Sequence, residues 1–385
     1  MAVTTIQSNN KLVKYTREIN REYVRENLFS PYMGTALNSI IRIKNELKSG
    51  GEQMNIPLVT RLTGQGVGSG TLAGNEEKID NYGMRVWLDW ARHAVVTNKA
   101  ESQKDSADIF GEAKPLLSDW GKELQRDEMI AAMMALPSES APTDLGTATG
   151  QRVNGILFDA ATAAQKNTWA ITANTDRIVY GAATSNTKST FALSTAELDT
   201  TADTLTATNL ALLKRVAMGA NPKIRPFKTK DGYEYYVAFA GLNTFRDLKN
   251  SLATVNKDAR PREGNGVDKN PLFQDGDQIY DGIIVRQVPE ISSFVTNVWT
   301  SLKTAGLSGT TRVEPVFLCG QQALALAYGQ MAKPTFRKED DYGFITGTGI
   351  EMAYGVSKIF KKHPSSGSNL VQFGMATGFY ATATD

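Results

Sequence analysis

The sequence predicts an α+β fold, and three patterns carry that expectation. Apolar and polar residues alternate over 53–62 and again over 82–90, the period of a half-buried strand. Apolar residues recur at helical spacing over 109–136 and 204–218. Alternation then returns at 233–239 and 350–360.

The first strand pair sets the main physical question. Met54, Ile56, Leu58 and Leu62 stand on one side of their strand, with Gln53, Asn55 and Arg61 on the other. Tyr82, Met84, Val86, Leu88 and Trp90 repeat the pattern against Arg85 and Asp89. Between them lies TGQGVGSGTLAGNEEKIDN, roughly nineteen residues, longer than the two to five of an ordinary hairpin loop. Gly64, Gly66, Gly68 and Gly70 fall at every second position, which is not the phosphate-binding GxGxxG spacing. Ten extended residues span about 33 Å, and an isolated two-stranded ribbon is marginal in water. Pro57 lacks an amide donor and suits an edge strand. Two supports are open to such a ribbon: its own domain core, or a neighbouring subunit.

Composition bounds the function. The 385 residues are 41% hydrophobic and 21% charged, ordinary for a globular chain with ample core. A net charge of +2 leaves no global basic excess to drive nucleic-acid or membrane binding. The single cysteine, Cys319, excludes an intrachain disulfide, and its apolar setting, VFLCG, predicts a buried thiol. The opening MAVTTIQSNNKLVKY has no apolar core of a signal peptide, and no stretch reaches eighteen uninterrupted apolar residues. The expectation is a chain that folds in a cytoplasm, without a membrane partner.

In chain order, residues 1–10 are small and polar, and 11–29 predict a helix. Glu18, Glu22 and Glu26 run beside Arg17, Arg21 and Arg25, giving pairs worth ~0.2–0.5 kcal/mol each. Its few apolar residues, Ile19, Tyr23, Leu28 and Phe29, predict a helix that is solvated or held from outside its domain. Residues 1–49 carry a local excess of Lys and Arg that could face phosphate. A short segment follows at 37–47. The 109–136 pattern predicts a helix of about twenty residues, ~30 Å long, with Pro115 near its start, where a missing donor does no harm.

Residues 138–205, rich in Thr, Ala, Ser and Asn, predict a surface subdomain or insertion built of loops and short elements, with short strands near 178–180 and 191–193. A helix over 204–218 stops at Gly219. Then come a strand at 233–239, a helix at 245–252, and a polar loop with Lys257, Arg260, Arg262 and Lys269. Strands at 279–288 and 316–318 precede a helix at 321–332. The segments 350–360 and 371–375 are expected to pair as a closing hairpin.

Convergent chemistry is not visible. His93 and His363 are far apart, and no HExxH, CxxC, EF-hand, Walker A or GxSxG sequence occurs. Asp275 and Asp277 read as a turn, and Glu339, Asp340 and Asp341 as a solvated loop. Glu76 and Glu77 sit on a glycine-rich loop without the rigid, desolvated setting that tunes an acid or base. No catalytic residue, cofactor or metal ligand is expected. Ample core, long arms and no reactive cluster point to a function of contact.

One combination of motifs goes further. Asn55-Ile56-Pro57-Leu58, then Leu62-Thr63-Gly64, Gly66, Leu72-Ala73-Gly74-Asn75-Glu76-Glu77, Val86-Trp87-Leu88-Asp89 and Arg92-His93-Ala94-Val95 together resemble the major capsid proteins of tailed bacteriophages. The nearest likeness is to the N-four-type podophage subfamily with the Hong Kong-type capsid fold. It is strongest over 50–136; the 138–205 segment matches nothing that can be placed.

The resemblance implies an N-terminal arm at 1–49, an extended loop at 50–98 overlapping the next subunit, and a peripheral domain with a spine helix at 99–219. It implies an axial domain at 220–349, with 350–385 returning to the peripheral sheet. Subunit contacts would fall on Arg61, Gly64, Gly66, Gly68, Gly70, Glu76, Glu77, Lys78 and Arg85, with arm contacts at Arg17, Arg21 and Arg25. Lys11 and Lys14 would face packaged double-stranded DNA. Partners would be the chain itself in hexamers and pentamers, with scaffold, portal and decoration proteins. Some members join chains through a Lys–Asn isopeptide bond; Lys78 and Asn369 are conceivable participants, but as common surface residues they predict no cross-link. The competing expectation is a receptor- or glycan-binding virion protein using 138–205.

Overall fold

The structure is a computed structural model describing residues 28–45, 51–59, 62, 64–77, 79, 81–104, 109–229, 232–252, 277–337, 341–362 and 369–383. The expected helix at 11–29, with Lys11, Lys14, Arg17, Arg21 and Arg25, falls almost wholly outside these residues, as do Arg61, Lys78, His363, Asp275, Glu339 and Asp340.

Two short parallel strands come first, β1 (Met33–Gly34) and β2 (Ile41–Lys44). The alternation at 53–59 and 81–87 then makes β3 (Gln53–Val59) and β4 (Asn81–Trp87), an antiparallel ribbon in register from Gln53/Trp87 to Val59/Asn81. The chain turns at Leu88 into β5 (Asp89–Asn98), so the expected single strand over 82–90 is two. After α1 (Lys99–Lys104) comes the long helix α2 (Ala113–Met134). Pro115 sits in its first turn, among amides with no intrahelical acceptor.

Residues 138–205 are not a surface subdomain. They hold β6 (Val153–Asn154), α3 (Ala163–Asn167), β7 (Ile178–Tyr180) and α4 (Phe191–Ala196). Trp169, Ile178, Tyr180, Phe191 and Leu198 lie in the main core. The strand expected at 191–193 is helical because the Thr190 hydroxyl caps it, accepting from the Leu193 N–H. Helix α5 (Ala207–Gly219) follows, capped in the same way by Thr206.

The remaining elements are β8 (Phe227–Lys228), β9 (Glu234–Ala240), α6 (Leu242–Ser251), β10 (Gln278–Tyr280), β11 (Ile283–Gln287) and α7 (Pro289–Asn297). Then come β12 (Val313–Cys319), β13 (Leu324–Phe336), β14 (Ile345–Lys358), β15 (Phe360–Lys362), β16 (Leu370–Gln372) and β17 (Met375–Ala381). The helix expected at 321–332 is the strand β13. Leu324 and Leu326 face the main core while Ala325 and Ala327 face the β3–β4 ribbon. A strand buried on both faces reads as a continuous apolar run and loses its alternation. Asp277, read from the sequence as a turn residue, immediately precedes β10; its carboxylate lies 2.9 Å from Arg286 Nε, and both side chains are buried.

Two sheets organise these elements. One runs β1-β2-β13-β14-β5, with β6 on β14; the other runs β10-β11-β9-β12-β17-β7, with β8 on β9. Expected boundaries cut across this pattern. A division at 349/350 falls inside β14, and the last strands separate: β15 pairs with β16, while β17 joins β12 in the other sheet. The closing hairpin is therefore only the short β15–β16 pair.

One core runs beneath both sheets. It joins Met129, Ile130 and Met133 of α2 and Leu324, Leu326, Met352 and Tyr354 of the first sheet to Val237, Phe239, Phe317 and Phe379 of the second. A second cluster packs α5 and α6 on the far face of the seven-stranded sheet through Leu210, Leu213 and Leu248. A third lies under the β3–β4 ribbon.

Candidate subunit-contact surface

The β3–β4 ribbon divides into a stalk and a tip. The stalk alternates as its residues require: Met54, Ile56 and Leu58 of β3 and Met84 and Val86 of β4 point inward, all at most 6% exposed. They close on Ala325, Ala327, Ile359 and Phe360 of the same chain. Burying an apolar side chain contributes ~1.5–3 kcal/mol, so five give on the order of 10 kcal/mol before ordering costs. Of the two supports open to the ribbon, the stalk uses its own body, which corrects the reading in which a neighbour completes the whole arm.

Close approach fixes the foot of the stalk. A Cβ at Gly355 would stand 2.0 Å from the Trp87 carbonyl oxygen, so only glycine lets β14 pass beneath it. Further out, the Tyr82 hydroxyl donates to Glu139 Oε1 at 2.9 Å, and Lys362 Nζ lies 3.2 Å from the same oxygen. Burial, and then the hydrogen bond to Glu139, raise the Tyr82 phenol well above its ordinary pKa. Tyr82, Glu139 and Lys362 thus tie the ribbon to the 138–150 loop and to β15. Sequence reasoning placed Tyr82 on a strand but had no signal for its partners, which are distant in the chain.

The tip is different. Residues 62, 64–77 and 79 are all exposed, including Leu62 (61%), Leu72 (64%) and Ile79 (61%). Its hydrogen bonds fold it on itself: the Gly64 N–H donates to Glu77 Oε2 and the Gly74 N–H to Glu76 Oε2, both at 2.7 Å. Asn75 Nδ2 donates to the Thr71 carbonyl at 2.9 Å. Gly66 and Gly74 have φ of +78° and +91°, a backbone that side chains with a Cβ seldom adopt. The structure therefore brings Gly64 and Glu77 together as a clasp and gives Glu76 a turn-closing role. Gly68 and Gly70 lie in the exposed loop, and Arg85 projects from the outer face of the stalk.

A second exposed apolar region lies on the first sheet. Trp90 and Val96 of β5 are each 51% exposed, and Met331 and Phe336 of β13 are 61% and 63% exposed. At the end of the β13–β14 hairpin Tyr342 is fully exposed at φ +51°. The adjacent pair Val95-Val96 was the available sequence signal, because alternation cannot bury both neighbours on one face. Among the described residues no three His, Cys, Asp or Glu side chains gather as a metal-binding group, and no helix is long and apolar enough to cross a membrane. Cys319 is buried, and burial raises its thiol pKa.

Exposed apolar surfaces of this kind are commonly sites of contact with other molecules. A family model described as phage capsid protein matches residues 3–379. The capsid asymmetric unit of cyanophage Pam1 is 31% identical over 100% of both chains, with a TM-score of 0.83. The capsid of Ralstonia phage GP4 shares the fold at 18% identity, covering 100% of this chain and 99% of that one, with a TM-score of 0.72. The head of Helicobacter pylori bacteriophage KHP40 does so at 13% identity, covering 98% and 96%, with a TM-score of 0.63. No curated protein matches the chain. The range matched by the family model includes 138–205, a segment whose Trp169, Tyr180 and Phe191 lie in the core. The chain belongs to the phage capsid protein family, and it is a major capsid protein with the Hong Kong-type fold that builds the shell of a phage head.

Proposed function

We propose that this subunit closes hexamers and pentamers of an icosahedral shell by laying its hairpin tip on the next subunit, and that the shell encloses double-stranded DNA. The observation that carries this reading is the contrast within one ribbon. The stalk is seated on its own body, while the tip is preorganised by its own hydrogen bonds and leaves its apolar side chains in water. A contact that joins two different patches of identical chains closes into a ring when repeated by rotation. The rigid stalk lowers the cost of ordering the tip at that contact.

In this reading α2 is the spine helix, the sheet of β1, β2, β13, β14 and β5 is peripheral, and the seven-stranded sheet is axial. Residues 1–49 form an arm whose Arg17, Arg21 and Arg25 meet neighbouring subunits. Lys11 and Lys14 face the DNA, where each phosphate contact would add to the salt dependence of retention. Scaffold, portal and decoration proteins complete the head, assembly occurs in the host cytoplasm, and the subunit performs no catalysis.

Deleting residues 64–80 tests the tip. The variant should keep the circular dichroism of the intact chain and form no shells in sedimentation or electron microscopy. Normal shells from the deletion would overturn the reading. For the basic pair, Lys11→Gln with Lys14→Gln should weaken DNA retention, and unchanged retention would remove that assignment.

A further inference from the structure

Charge is balanced over the whole chain, 42 Lys and Arg against 40 Asp and Glu, but it is not evenly spread. Residues 214–230 read KRVAMGANPKIRPFKTK, with six Lys or Arg residues and no Asp or Glu. The stretch covers the end of α5, the connection after it and the strand β8.

The connection is braced by its backbone. Ile224 is 2% exposed, its N–H donates to the Ala217 carbonyl at 3.3 Å, and its carbonyl accepts from the Tyr236 hydroxyl at 2.8 Å. The Gln321 N–H donates to the Arg225 carbonyl and Gln321 Nε2 to the Pro226 carbonyl, both at 2.8 Å. Lys223 and Arg225, on either side of Ile224, are exposed, as is Arg215 on α5. None of these three cations has a carboxylate partner among the described residues. Lys214 is answered by Asp281 at 3.0 Å and Lys228 by Glu234 at 2.9 Å. Asp176 accepts from the Asn221 N–H, and it also lies 3.4 Å from Arg177 Nε.

We propose that this basic stretch is a surface for the phosphate backbone of double-stranded DNA, bound without regard to base sequence. The inference rests on the reading that the shell encloses DNA, and it names a contact separate from Lys11 and Lys14. Two observations select the partner. Like charges held on a fixed backbone, with no acid inside the segment, attract a polyanion and release its counterions. Between Ala220 and Phe227 the exposed residues are Asn221, Lys223 and Arg225, and none is apolar. A protein partner needs an apolar centre to its interface, whereas surfaces that meet DNA are more polar and more positive. Arg, Lys and Asn side chains are all common donors to phosphate oxygens.

Duplex binding and filled heads test the surface. The free subunit is titrated with a short fluorescent DNA duplex from about 50 to about 200 mM salt, where each phosphate contact adds ~0.9 to the salt slope. Lys223→Gln with Arg225→Gln should keep the circular dichroism of the intact chain, since neither side chain has a partner to lose. It should lower the slope by about 1.8, so that the loss of affinity over that range shrinks about twelvefold. Lys188→Gln with Lys303→Gln makes the same change in net charge at exposed sites elsewhere and should lower the slope by less than half as much. An unchanged slope, or one that the control reproduces, overturns the proposal; if shell yield falls while the slope is unchanged, the segment meets protein instead. In DNA-filled heads, ultraviolet cross-linking should put nucleotide adducts on peptides from 214–235, and adducts confined to other peptides also overturn it. Heads without nuclease-resistant DNA would sink the reading that the shell encloses DNA. Filled heads with an unchanged slope would leave that reading standing and remove the segment.

Discussion

Asn154 clamps Trp87 by both sides of one peptide unit. The Trp87 N–H donates to Asn154 Oδ1 at 2.8 Å, and Asn154 Nδ2 donates back to the Trp87 carbonyl at 3.0 Å. Asn154 Nδ2 also reaches the Arg152 and Val356 carbonyls at 3.3 and 3.4 Å. This side chain, 4% exposed, joins the last residue of the stalk to β6 and β14, and so sets the angle at which the tip leaves the body. Asn154→Ala should cost ~2–4 kcal/mol, because it leaves buried backbone groups unpaired. Chemical denaturation measures the cost, and shell yield should fall with it. A loss within ~0.5 kcal/mol would show that the clamp is dispensable.

Gly355 lies under the same peptide. A methyl group there would overlap the Trp87 carbonyl, which the Asn154 clamp holds in place. Gly355→Ala should destabilise by at least ~3 kcal/mol, at the upper end of overpacking. Gly68→Ala, where the added Cβ would have no neighbour within 4 Å and φ is not positive, should be nearly neutral. Comparing their thermal midpoints checks the contrast.

Lys358 sets a pH dependence. Its side chain is buried between the sheets, with Nζ 3.1 Å from Gln372 Oε1 and 5.0 Å from the Trp169 ring centre. Burial pulls its pKa down to about 7. Below pH 7 both folded and unfolded chains carry the charge, and the folded state bears the burial cost. Between pH 7 and the unfolded value near ~10.4 the unfolded chain binds more protons, so this group makes stability rise with pH. The neighbouring Cys319 thiol, raised by burial, opposes it above ~8.5, where the unfolded thiol ionises and the buried one does not. Lys358→Met should therefore be more stable than the native chain at pH 6, and its advantage should shrink as pH rises from 7 to 10. Denaturant midpoints across that range give the result; a pH-independent difference would contradict it.

Tyr342 holds a left-handed backbone with its ring in water. Tyr342→Gly relieves that strain and should raise, or leave unchanged, the stability of the free subunit by up to ~1 kcal/mol. Shell yield should fall if the exposed ring serves a contact. Loss of stability in the free subunit would show that the ring supports the fold.

Legibility in the sequence followed burial. The stalk strands were readable because one face is buried and the other wet, so Met54, Ile56 and Leu58 alternate with Gln53, Asn55 and Pro57. Helix α2 was readable from its apolar spacing. Strand β13 was not, because Leu324–Phe336 begins with both faces covered and its Ala-Leu run imitates a helix. The core role of 138–205 was hidden because Trp169, Tyr180 and Phe191 are brought together by tertiary packing, the Phe191 ring centre lying 6.4 Å from that of Trp169 and 6.1 Å from that of Tyr180. At the contact surface the glycine-rich tip was visible in the sequence. The Gly64–Glu77 clasp and the Asn154 clamp were not, since each joins residues with no periodic relation.

The most direct test of the central claim is an electron cryomicroscopy map of shells assembled from this chain. Density for residues 62–79 is expected on an adjacent subunit, with the stalk still seated on its own Ala325 and Ala327. Shells in which that tip projects into solvent, or folds back on its own subunit, would contradict it.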